Sequence, residues 1–245
     1  MKAVTEDKLH AEGNFWFFDK GYISEFVYGG IDGAITTFAV VAGAAGADAA
    51  IYWVLIFGFA NLIADGFSMS VGNYFAVKAE RDNYEKHKAV EYWEIENLRE
   101  KEIEEIREIY QAKGFEGKLL EQVVEVITSN DDVWVDTMMK EELEMTKDDK
   151  TPVRTAIATF LSFNLIGIIP LLSYVVAATF DLAQDNLFMI SCLATASAMI
   201  IIGYLKSRVT EKPWIKGVLE TLALGGLAAF LAYFVGDLLA LYFLN

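Results

Sequence analysis

The sequence predicts an all-α membrane protein. It has five transmembrane helices, N-terminus inside and C-terminus outside, with a three-helix acidic domain inserted on the cytoplasmic side between spans 2 and 3. Three observations predict it. The chain is apolar, with 54% hydrophobic residues and a mean hydropathy of +0.32, yet its net charge is −15; this combination points to separate lipid-facing and water-facing parts. All 20 Lys and Arg lie within 1–20, 78–154 or 206–216, and the gaps 21–77, 155–205 and 217–245 hold none. At about 20 residues per spanning helix, those gaps accommodate two, two and one spans. Finally, segment 78–154 carries 22 acidic and 13 basic residues, too charged to enter lipid.

Orientation follows from the basic residues, which stay on the cytoplasmic side. The N-terminus, 78–154 and 206–216 face inward. The loops near Asp48 and at 181–186 carry no basic residue and face outward. The chain divides into 1–23, an N-terminal interfacial segment; 24–77, spans 1 and 2; 78–151, the acidic domain; and 152–245, spans 3 to 5. Phe15-Trp16-Phe17-Phe18, flanked by Glu12, Asp19 and Lys20, reads as a short helix on the inner leaflet, with aromatic-belt anchoring the simpler account. No cleavable signal pattern is expected in 1–20.

Span 1, about 24–47, holds Glu25, Asp32 and many small residues that permit close helix packing. Span 2, about 50–74, holds Asn61, Asp65, Ser68, Met69 and Asn73. An ionisable group inside a span is a functional candidate. With spans starting near Ser24 and ending near Tyr74, Asp32 lies ~12 Å, Asp65 ~13 Å and Met69 ~7 Å from the cytoplasmic edge. Asp65 could equally well hydrogen-bond a neighbouring helix.

No Gly or Pro occurs from Asn73 to Lys113, so span 2 is expected to continue as one helix into the acidic domain. It carries Glu91, Glu94, Glu102 and Glu105, two Glu-x-x-Glu pairs falling within roughly 80° of a helical wheel. Such a face repels itself, and a divalent cation would turn repulsion into binding. The plain alternative is a solvated Glu-rich face. Gly114 and Gly117 end this helix, a second follows over about 118–128, and Ser129-Asn130-Asp131 caps a third over about 132–147. The third carries Met138, Met139 and Glu142. Carboxylate oxygen with thioether sulfur suits Fe²⁺ or Mn²⁺ better than Mg²⁺.

Pro152 opens span 3, which Pro170 should kink. Span 4 covers about 187–205 and span 5 about 217–243. Glu220, near the inner end of span 5, could pair with Lys216 or meet a substrate. The lone Cys192 reads as a packing residue.

Several chemistries are excluded. His10 and His87 are the only histidines, so neither a Glu-x-x-His di-iron site nor a Ser-His-Asp or Cys-His hydrolytic centre is available. There is no P-loop. The chain is not expected to be an enzyme or to hold a prosthetic group, and its acidity argues against nucleic acid as a partner.

Asp32-Gly33-Ala-Ile-Thr-Thr-Phe-Ala-Val-Val-Ala-Gly-Ala-Ala-Gly-Ala47 resembles the first-span signature of the vacuolar iron transporter family, and Ala64-Asp-Gly-Phe-Ser-Met69-Ser-Val-Gly-Asn-Tyr74 resembles its second span. The likeness extends over nearly the whole chain. It implies proton-coupled export of Fe²⁺, and often Mn²⁺, from the cytoplasm by a homodimer whose path lies at the subunit interface. Asp32 and Met69 match ion-contacting pore positions. Glu91, Glu94, Glu102, Glu105, Met138, Met139 and Glu142 match the metal-binding helices. One departure stands out: the family's spanning Glu, eight residues before Met69, is Asn61 here. Asn cannot titrate, and Asp65, one turn on, is the candidate replacement. A prokaryotic plasma membrane is expected, with a vacuolar membrane open. The rivals are a membrane-anchored metal buffer or sensor, and a transporter of another divalent ion such as Ca²⁺.

Overall fold

A computed structural model of the chain describes residues 20–180, 186–210 and 212–243. The aromatic run Phe15 to Phe18 and most of the 181–186 loop lie outside the described residues. Among the described residues every regular element is helical. Nine α-helices follow in order: α1 (Ile23–Gly46), α2 (Ile51–Asn97), α3 (Arg99–Ala112), α4 (Gly117–Thr128), α5 (Asp131–Glu141), α6 (Pro152–Gly167), α7 (Leu172–Phe180), α8 (Leu187–Val209) and α9 (Trp214–Phe243). Five stretches are long and apolar enough to cross a membrane: α1, α2, the α6–α7 pair, α8 and α9. Chain contacts divide the molecule into two compact units. Of the described residues, one is built from those up to Tyr74 and from Pro152 onward, the other from Phe75–Thr151.

In the first unit, α1 is the central element, packing along α6, α8 and α9. Its small residues explain why. A Cβ on Gly33 would collide with the backbone of Phe163 in α6, and one on Gly236 of α9 with the backbone of Gly43 in α1. Glycines thus let backbones touch where no water-driven force presses helices together. Around these seams, Phe38, Val41, Val54, Leu62, Phe163 and Leu171 form a core. Large side chains such as Phe57, Phe67, Phe230 and Phe234 stay exposed, as surfaces facing hydrocarbon should.

Pro170 does more than kink span 3. The helix stops at Gly167, passes through a 3₁₀ turn over Ile169–Leu171 and restarts as α7. Proline withholds a backbone donor and crowds the preceding turn. The Pro170 carbonyl accepts from Ser191 Oγ of α8 at 2.6 Å. At the other end of the α8–α9 hairpin, Glu220 pairs with Lys206 at 3.0 Å rather than with Lys216, because the antiparallel neighbour is nearer than the next turn of its own helix.

The second unit packs Ile95, Ile106, Leu120, Val124, Trp134, Val135, Met138 and Met139 into one core. Asn130 caps α5, its Oδ1 accepting from the amides of Asp132 at 3.0 Å and Val133 at 3.2 Å. Gly114 and Gly117 adopt φ of +95° and +57°, which an L side chain resists. Two expectations are corrected. The helix leaving span 2 does not run on to Lys113; it ends at Asn97, and Leu98 (φ −125°, ψ 29°) separates it from α3. A straight helix would hold Ile103 and Ile106 in water, whereas the break lets α3 turn them inward, with Ile106 fully buried. Likewise the last helix of the unit stops at Glu141, and Glu142 is its C-cap.

The α1–α6 seam yields a test. Gly33→Ala must force two backbones apart, costing about 1–3 kcal/mol, whereas Gly226→Ala enters open space. Thermal unfolding of the detergent-solubilised protein should fall clearly for the first and barely move for the second. Equal midpoints would refute the packing account.

Candidate metal site

The break at Leu98 determines how the glutamates meet. Glu91 and Glu94 lie near the end of α2, and Glu102 and Glu105 lie in the first half of α3. Each pair keeps its helical spacing, but the pairs come together across the bend at Leu98 rather than lining one straight helix. Glu91, Glu94 and Glu102 each offer a carboxylate oxygen, and these oxygens lie within 4.8 Å of one another. A cation with oxygen ligands at about 2.0–2.6 Å holds opposite ligands roughly 4–5 Å apart, so the spacing suits one divalent ion.

Burial sets these groups apart from ordinary surface acids. Glu102 is 1% exposed and Glu91 3%. Neither oxygen of Glu102, nor Oε2 of Glu91, has a hydrogen-bond partner. An orphaned buried carboxylate is strongly disfavoured. It raises the pKa: burial, then the nearby Glu142, Glu94, Glu102 and Glu105, push Glu91 up to about 7. Burial, then Glu105 and Glu94, do the same for Glu102, also to about 7, against a smaller lowering by Lys101. Glu142 is raised too, first by burial and then by Glu105 and Glu94. Five carboxylates therefore sense one another electrostatically.

Met138 and Met139 are fully buried in the core beside this cluster's helices, and the Glu142 amide donates to the Met138 carbonyl at 3.0 Å. Sequence reasoning overlooked Lys101. Its Nζ reaches Glu105 Oε1 at 2.7 Å and stands 4.0 Å from Glu102 Oε1. The i,i+4 spacing from Lys101 to Glu105 was the available signal.

In the first unit, the structure brings Asp32 and Asp65 within electrostatic reach of each other. Thr36, one turn beyond Asp32, connects the two spans: its hydroxyl donates to the Asp32 carbonyl at 2.9 Å and accepts from Asn61 Nδ2 at 3.4 Å. Asn61, Asp65 and Met69 follow at four-residue intervals on one side of α2, all half-buried. Thr36 was not foreseen, although its position four residues after Asp32 puts it on the same face.

Known proteins resemble the chain over most of its length. The model of the VIT family matches residues 23–237. The chain is 35% identical over 226 residues to a "Vacuolar iron transporter" of Toxoplasma gondii, covering 90% of this chain and 75% of the relative. It is 34% identical over 227 residues to the protein of that name from Plasmodium falciparum, covering 90% and 83%. It is 32% identical over 212 residues to "Vacuolar iron transporter 1" of Arabidopsis thaliana, covering 86% and 83%.

The raised carboxylates predict a pH dependence. Both native pKa values, about 7, exceed the ordinary 4.5. Between those limits the unfolded chain has shed protons that the native chain still holds, so stability falls as pH rises from 4.5 to 7 and then levels. Glu102→Gln should remove part of this loss, on the order of 1–2 kcal/mol after allowing for screening by water. Amide exchange of α3 and α5 in the full-length, metal-free protein should show the variant better protected than wild type at pH 7.5, with a smaller difference at pH 5. A difference independent of pH would contradict the assignment.

Proposed function

The chain belongs to the VIT family, and from that premise we propose that it exports Fe²⁺, and Mn²⁺ with it, from the cytoplasm in exchange for protons. Membership makes it a multi-pass metal-ion transporter and not an enzyme. The observation that carries the finer reading is the burial of Glu91 and Glu102 with Oε2 of the first and both oxygens of the second unpartnered, and Glu94 within 4.8 Å. A fold that withholds hydrogen bonds from two buried acids leaves room for a cation to supply the missing partner.

On this reading the acidic unit faces the cytoplasm. Glu91, Glu94, Glu102, Glu105 and Glu142 gather divalent ions, lowering the local potential and raising the ion concentration there. Met138 and Met139 add sulfur ligands that favour Fe²⁺ and Mn²⁺ over Ca²⁺. Ions then enter the membrane path at Asp32 and Met69, between two copies of span 1 in a homodimer. Metal and proton compete for the same carboxylate, so protonation from the far side releases the ion. Asn61 cannot take that proton. Asp65 is the residue we assign to it, supported by its electrostatic reach to Asp32. Asn61 instead donates to Thr36.

The decisive assay is metal uptake into proteoliposomes made acidic inside, followed with a dye quenched by Fe²⁺ or Mn²⁺. Wild type should require the gradient, and Asp32→Ala should abolish uptake. Asp65→Asn should retain metal binding but lose gradient dependence. Metal bound but never moved by wild type would favour a membrane-anchored buffer or sensor instead. A second test addresses sulfur. Met138→Leu and Met139→Leu preserve core volume, so the protein should fold but bind Mn²⁺ several-fold more weakly with Ca²⁺ binding little changed. Unaltered Mn²⁺ affinity would remove the methionines from the site.

A further inference from the structure

The carboxylate cluster has one ammonium group on its rim. Lys101 Nζ lies 2.7 Å from Glu105 Oε1 and 4.0 Å from Glu102 Oε1. Among the described residues, no other Lys or Arg nitrogen comes within 4.0 Å of Glu91, Glu94, Glu102, Glu105 or Glu142. The neighbouring basic residues are committed elsewhere. Arg107 is shared between Glu104 and Glu121, Lys113 pairs with Glu141, Lys88 with Asp136, and Arg99 with Asp131 while its guanidinium lies over the Trp134 ring.

Two features distinguish Lys101 from an ordinary surface pair. The first is its target: Glu102 is 1% exposed and otherwise unpartnered, so the ammonium is the nearest positive charge that this buried group possesses. The second is its mobility: the Lys101 side chain is 62% exposed, on a flexible four-carbon stem able to swing into water. A Lys head and a divalent ion repel each other at this range. They also compete for the same oxygens, since Glu105 cannot give one oxygen fully to both.

We infer that Lys101 is a built-in counter-cation of the acidic cluster, holding Glu105 and screening Glu102 while the site is empty and leaving when a divalent cation binds. It is a positioning residue, not a ligand, and it sets the ion concentration at which the site fills. The inference rests on reading the cluster as a divalent-cation site. Its consequence is opposite in sign to that of every carboxylate: removing Lys101 tightens binding. The gain should be about two- to fivefold, the equilibrium equivalent of an exposed ion pair.

The test is Mn²⁺ binding to the full-length protein in detergent, at constant pH and salt, measured by loss of the free-ion EPR signal. Wild type, Lys101→Gln, Lys101→Arg and Glu102→Gln are compared. Lys101→Gln should bind Mn²⁺ two- to fivefold more tightly, Lys101→Arg should match wild type because the charge is restored, and Glu102→Gln should bind much more weakly. Unchanged or weaker binding by Lys101→Gln, alongside a loss in Glu102→Gln, overturns the counter-cation role alone. Equal tightening by Lys101→Arg also overturns it, since charge would not be the cause. If wild type binds no Mn²⁺, or Glu102→Gln binds as wild type does, the site itself fails and the inference falls with it.

Discussion

Burying like charges without hydrogen bonds is the constraint around which the acidic unit is arranged. Glu91 and Glu102 are almost fully removed from water, and both oxygens of Glu102 and Oε2 of Glu91 lack partners. Nothing local favours that. It is imposed by the surrounding apolar core, in which Ile95, Ile106, Trp134, Val135, Met138 and Met139 are buried together. Each such side chain contributes about 1.5–3 kcal/mol on burial, enough collectively to outweigh the electrostatic cost. The bend at Leu98 is the device: it turns the apolar stripe of α3 inward and carries Glu102 with it. On the proposed reading, a cation would meet carboxylates already gathered and desolvated.

The first unit solves a different problem with different means. Lipid offers no hydrogen bonds, so backbone groups at the helix break around Pro170 need protein partners. Ser191 supplies one. Helix contacts depend on fit instead of a hydrophobic drive, which is why glycine positions in α1 face the backbones of α6 and α9. Through that close packing α1 becomes a fixed support for Asp32. Thr36 links the backbone of the Asp32 turn to Asn61 of α2, a hydrogen-bonded step between the two spans. At that level Asn61 is an uncharged hydrogen-bonding group, and Asp65 is the acid one turn further along α2.

Much of the site was legible in the sequence because helical periodicity is local. The four-residue steps Asn61, Asp65, Met69 and the two Glu-x-x-Glu pairs follow from the rise and turn of a helix. The bend at Leu98 was not legible, because no Gly or Pro marks it. Its cause is the non-local burial of Ile103 and Ile106 in the core they share with Leu120, Val124, Trp134 and Val135. Lys101 was overlooked for a related reason. Its importance depends on Glu102 being buried, and the sequence around it reads as a solvated, mixed-charge helix.

The sequence by itself determined where the chain is apolar and where it is charged, and hence the five candidate spans and the acidic insert. Those are sums over neighbouring residues, and the cost of placing Lys or Arg in hydrocarbon enforces them. It also determined which residue types could serve a cation. Tertiary structure decided which acids are buried, which remain solvated and which has an ammonium beside it. Burial depends on what a distant segment brings into contact, and the electrostatic worth of a carboxylate depends on burial.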